Sequence, residues 1–158
     1  MKNVLLKITG KIITYDRGQE ISDDVMEFIT EGKMQSRGRT TMLVYPEMQE
    51  TGLDDCTTYV TVSPSRVKVK RETKEGSEPQ VVMEFEKGKR CDGLYITPYG
   101  PMPLELLTNS ISGFGHGEDG SKTLSIDYSM SLKGLAQTSN RLDIQVLREL
   151  GEDDDDRL

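Results

Sequence analysis

The stretch LSIDYSMSLK, residues 124–133, sets the apolar side chains Leu124, Ile126, Tyr128, Met130 and Leu132 against Ser125, Asp127, Ser129, Ser131 and Lys133 in strict alternation. A helix advances about 100° per residue and would spread both sets around its circumference, whereas a period of two sorts them onto opposite faces. The segment therefore reads as a β-strand with one dry and one wet face, the pattern of an antiparallel sheet. The same alternation recurs at Val4, Leu6 and Ile8, at Val81, Met83 and Phe85, and at Leu142, Ile144 and Val146.

Turn residues punctuate these runs: Asp16-Arg17-Gly18, Gly32, Arg37-Gly38, Thr51-Gly52, Ser63-Pro64-Ser65, Glu75-Gly76-Ser77, Lys87-Gly88, Tyr99-Gly100-Pro101 and Glu118-Asp119-Gly120. About ten short strands at this spacing predict an all-β fold, a sandwich or a closed barrel. Helix has two short candidates. Leu104, Leu107 and Ile111 have helical spacing within 103–111, and Asp24 with Glu27 imitates a capping box. Both segments read equally well as strand. At 158 residues the chain makes one domain, taken as 1–150, and GEDDDDRL (151–158) reads as an acidic, disordered tail.

Composition excludes several functions. A net charge of -7, from 27 acidic and 20 basic residues, repels a phosphate backbone. In RVKVKR (66–71) the cations Arg66, Lys68 and Lys70 alternate with Val67 and Val69, as on the wet face of a half-buried strand, so no nucleic-acid partner is expected. Lysines interrupt the apolar N-terminus MKNVLLKITGKII, which reads as neither signal peptide nor membrane span. Cys56 and Cys91 lack the spacing and histidine partners of a zinc site and read as small packed side chains in a reducing compartment. No metal or other cofactor is expected, and the cytoplasm is the expected location.

One segment imitates a nucleotide motif. GHGEDGSKT (115–123) has two glycines separated by four residues, with the lysine one position late. A phosphate loop leads from a strand into a helix, whose N-terminal N–H groups hold the phosphates. Here the exit is the strand already described, and Glu118 and Asp119 stand where phosphate would sit. The segment reads as a hairpin connection, and its His116, the only histidine, as an exposed loop residue.

Projecting the alternation inward leaves a few side chains that depart from a greasy lining: Thr30, Tyr45, Arg71, Tyr95, Thr97 and Tyr128. These are the candidate ligand-binding residues, and each also suits a packed interior. Arg71 stands out, because a guanidinium drawn inside needs a carboxylate from the protein or from a ligand. A barrel of this size is either filled by side chains or holds one small ligand.

Taken together, ITEGK (29–33), LVYPEMQETGL (43–53), MEFEKGKR (83–90), TPYGPMPLELLT (97–108), the strand at 124–133 and SNRLDIQV (139–146) make the chain resemble the YwiB-like β-barrels. These are bacterial proteins of unknown function grouped with the calycins, alongside lipocalins and fatty-acid-binding proteins. The resemblance implies a single closed antiparallel barrel and supplies no catalytic residue. The expectation is a non-enzymatic barrel binding a small apolar or anionic ligand. The alternative is an interaction or structural barrel acting as a homo-oligomer, such as a homodimer. A hydrolase needs His116 or several carboxylates to meet at a barrel mouth.

Overall fold

The computed structural model describes residues 1–47, 56–73, 79–97, 100–114, 122–131 and 137–152. The elements are all strands: β1 (Lys2–Asp16), β2 (Gln19–Arg37), β3 (Thr40–Pro46), β4 (Cys56–Ser63), β5 (Arg66–Thr73), β6 (Pro79–Phe85), β7 (Arg90–Thr97), β8 (Gly100–Ser112), β9 (Thr123–Ser131) and β10 (Gln137–Glu152). Each lies antiparallel to its neighbour in sequence, and β1 also pairs with β10. The sheet thus closes on itself as an up-and-down barrel, and closure removes the sheet edges that would otherwise be left unpaired.

Alternation becomes burial once the barrel is closed. Along β9, Leu124, Ile126 and Tyr128 are buried while Ser125 and Asp127 keep contact with water. Val4, Leu6 and Ile8 of β1, Val60 and Val62 of β4, Val67 and Val69 of β5, and Val81, Met83 and Phe85 of β6 line the same interior. Phe85 and Tyr128 meet across it with ring centroids 4.6 Å apart and planes inclined at 56°. The interior is therefore packed with large side chains. Among the described residues, no helix is long and apolar enough to cross a membrane.

Three expectations are corrected. The helix candidates at 103–111 and from Asp24 are strand, in β8 and β2, because pairing on both flanks of β8 and along β1 overrides weak local spacing. Gly32 is not a turn. It lies inside β2, where an added Cβ would come within 2.6 Å of the Val44 carbonyl oxygen and 3.2 Å of Tyr45 Cβ. β10 runs to Glu152, two residues into the supposed tail, because Gly151 and Glu152 pair with Asn3 and Lys2; residues 153–158 lie outside the described set.

Two seams depart from a uniform ladder. Among the described residues, β6 and β7 pair only at Val81↔Tyr95 and Val82↔Leu94, and the turn between them bonds instead to β8, through Gly88 N to Thr108 O (2.9 Å) and Thr108 N to Lys89 O (3.3 Å). β2 and β3 pair from Arg37↔Thr40 to Lys33↔Val44 and no further. The next partner positions in β3 are Tyr45, which packs over Gly32, and Pro46, which has no N–H to donate. Among the described residues, Gln19–Gly32 of β2 is paired on one side only, with β1.

Candidate functional site

A row of inward-facing residues crosses the wall near one end of the barrel. Its register runs Tyr45↔Thr58, Thr58↔Arg71, Arg71↔Val81 and Val81↔Tyr95, which joins β3 to β7 in a single band. Three of the six residues expected from sequence, Tyr45, Arg71 and Tyr95, thus fall on one row. It lies toward the end of the barrel at which β3, β5 and β7 stop and β4 and β6 begin.

The chemistry is concentrated around Glu47, one residue beyond β3. Its backbone N–H bonds to the Cys56 carbonyl at 3.0 Å, which turns the side chain inward. Arg71 Nε donates to Glu47 Oε1 at 3.3 Å, and Thr58 Oγ1 donates to the same oxygen at 2.5 Å. The Glu47 side chain is only 4% exposed and that of Arg71 20%. The carboxylate that an interior arginine requires is therefore supplied by the protein itself.

Beside this pair stands Tyr45, 1% exposed, whose hydroxyl, though near Thr58, has no partner within hydrogen-bond distance among the described residues. Burial pushes its phenol well above the ordinary value of 10.0; the Glu47 charge adds to the rise, while Arg71 and, more weakly, Thr58 oppose it. Tyr128 reaches the cluster from the opposite wall. Its phenol is also raised by burial, with the Arg71 charge pulling the other way. Phe28 covers Tyr45 with ring centroids 6.4 Å apart.

The remaining expected residues are dispersed. Thr30 is buried in β2 and donates to the Glu31 carbonyl at 3.3 Å. Tyr95 shares the row but is 41% exposed, at the rim rather than in the interior. The side chain of Thr97 lies outside the described residues, as does His116. The connection holding His116 joins two adjacent antiparallel strands, β8 and β9, so the strand exit that argued against a phosphate loop is present.

Glu47 and Thr58 were not singled out from sequence, although parity marks both: Glu47 is two residues beyond inward Tyr45, and Thr58 alternates with Cys56, Val60 and Val62. Two polar companions of the expected Tyr128 were also missed. Thr108 and Asn140 are its register partners in β8 and β10; Asn140 Nδ2 donates to Thr138 Oγ1 at 2.8 Å, and the buried Thr108 hydroxyl has no partner among the described residues.

Two depressions open to solvent. One of about 270 Å³ is lined by Gly32, Val44, Tyr45, Pro46 and Thr57, where β2 and β3 part. The other, of about 240 Å³, lies among Tyr15, Arg90, Glu105, Met130 and Gln137. Both are below the roughly 300–1,000 Å³ of typical small-molecule pockets. Among the described residues, no three of His, Cys, Asp and Glu gather as metal ligands would.

A closed ten-stranded antiparallel barrel, filled at its centre and polar beneath one end, is the class this geometry defines. Residues 6–144 match the family described as a domain of unknown function, DUF1934, and the chain belongs to that family. The crystal structure of the ywiB protein from Bacillus subtilis is similar, with a TM-score of 0.64 and 23% identity over 92% of this chain and 94% of that one. At that identity the likeness concerns the fold, and it agrees with the YwiB resemblance carried by TPYGPMPLELLT and its companion segments. No curated protein matches the chain.

Proposed function

We propose that this protein is a non-enzymatic barrel that binds a small molecule at its polar end, with Arg71 as the anchor. The supporting observation is the buried Tyr45 hydroxyl, unpartnered among the described residues, beside a guanidinium whose bond to Glu47 uses Nε. A guanidinium has five donors and a phenol one, whereas Glu47 Oε1 already accepts two bonds. Such a surplus of donors suits an acceptor: a carboxylate or other oxyanion on a small apolar body. The packed centre keeps the ligand at the head of the row and keeps it small. The calycin grouping agrees with this reading, as does a cytoplasmic location, where the two cysteines need no disulfide.

Native mass spectrometry of the protein as purified from cells, beside the Arg71→Leu and Arg71→Lys variants, tests it. The expected result is a small-acid adduct that Leu abolishes and Lys weakens, with tyrosine ring NMR signals that move when acetate or benzoate is titrated in. Bare chain mass together with unmoved Tyr45 and Tyr128 signals would overturn the reading. A second reading, an interaction protein, is favoured by the one-sided pairing of β2.

A further inference from the structure

The outer part of β2 differs from the rest of the barrel in pairing, charge and exposed surface together. Of the ten large hydrophobic side chains exposed among the described residues, five lie on the β1–β2 hairpin: Ile12, Ile21, Val25, Met26 and Ile29. Ile21, Val25 and Ile29 are 62%, 64% and 54% exposed. Over Gln19–Gly32 this strand pairs with β1 alone among the described residues, which leaves its other edge as a row of backbone groups.

Native proteins guard such an edge with proline, with lysine, with a bulge or by shortness. Gln19–Gly32 contains no proline and no lysine, and its one register irregularity, opposite Thr14/Tyr15, lies near its far end. Its charges are all acidic: Glu20, Asp23, Asp24, Glu27 and Glu31. Of these, Glu27 meets a cation, Lys7, at 3.4 Å.

The acidic set decides between occupants. If a second copy paired antiparallel over the full length, Gln19 opposite Gly32, Glu20 would face Glu31 and Asp24 would face Glu27, each twice by symmetry. Like charges placed directly opposite destabilise an antiparallel pair. Self-pairing is disfavoured, whereas a strand with cations opposite these acids meets only opposite charge. Asp23, Glu27 and Glu31 alternate with Val25 and Ile29 on the outer face, so a matching strand alternates lysine or arginine with β-branched residues.

We infer that the edge of β2 left without a neighbour among the described residues is a docking site for a basic, extended segment of another protein, taken up as an added antiparallel strand. Main-chain hydrogen bonds would bind it and the acidic row would select it. The net charge of -7 favours its approach from a distance.

The test uses the full chain, isotopically labelled, and a capped peptide of alternating lysine and valine, with a glutamate–valine peptide as control. The basic peptide is expected to shift amide signals within Gln19–Gly32 and to slow their hydrogen exchange. The double variant Asp23→Lys/Glu27→Lys, which alters exposed side chains only, should weaken binding at least tenfold. Val25→Pro should abolish it, with the charge variant standing as the decisive one if proline unfolds the hairpin. Shifts elsewhere in the barrel, equal binding of the acidic peptide, or a β2-mediated dimer in light scattering would each overturn the inference.

Discussion

Ile126 and Ile29 are the same side chain in two strands of one barrel, and they have opposite fates. Ile126 sits in β9 between Ile111 of β8 and Leu142 of β10 and is fully buried. Ile29 sits in β2 opposite Lys7, has no described partner on its other side and is 54% exposed. Alternation is present around both. What differs is enclosure: β9 is flanked by both β8 and β10 from Ser125 to Ser131, whereas β3 leaves β2 at Gly32, where Tyr45 and Pro46 end the ladder. Period two sorts side chains onto faces, and only the neighbouring strands decide which face stays dry.

The contrast can be broken most directly at its buried end. Ile126→Ala should cost about 2–5 kcal/mol in urea unfolding, as expected where a packed core cannot close over the cavity. A cost below about 1 kcal/mol would mean that the interior is loose enough to collapse, contrary to the packing around Phe85 and Tyr128.

An intermediate effect is expected at Tyr45, which is buried without enclosing a satisfied hydroxyl. Near neutral pH, Tyr45→Phe removes a group with no partner and should leave stability unchanged or slightly raised. At alkaline pH the sign becomes visible. The folded phenol is held above its ordinary value of 10.0, so its contribution is complete below about pH 10 and is lost as pH rises past it, where the unfolded chain ionises first. The wild type should therefore weaken above about pH 10, and Tyr45→Phe should weaken less, with Tyr128 contributing the remaining slope. Urea midpoints at about pH 8 and about pH 11 check this; parallel declines in the two proteins would show that Tyr45 is already wet.

The smallest effect lies at the open end of the comparison. Ile29→Ala should stay within about 0.5 kcal/mol of wild type, because a half-exposed side chain on a one-sided ladder loses little on truncation. A loss approaching that of Ile126→Ala would place Ile29 under cover and remove the free edge on which partner docking depends.

The candidate site was legible in parity and obscure in contact. Tyr45, Arg71 and Tyr128 announce themselves as polar or amphipathic members of apolar-facing sets, and the structure brings them to one end. Glu47 shares that parity but stands beyond a proline, past the end of β3, and its role depends on a strand to which it is joined through Cys56. Tyr95 has the correct parity but sits where the β6–β7 ladder is two pairs long, so the face it occupies is not enclosed.

The amino-acid order by itself determined that the chain is all strand, about ten strands long, and which side of most strands turns away from water, because a two-residue period is a local property of the backbone pleat. It also determined the acidic character of β2, which is composition alone. Only the tertiary structure decided that Glu47 neutralises Arg71, that the centre is filled, and that Gln19–Gly32 of β2 lacks a second neighbour among the described residues. Those outcomes depend on closure and on register between paired strands, and a one-residue slip between them would turn Arg71 and the core side chains to the other face.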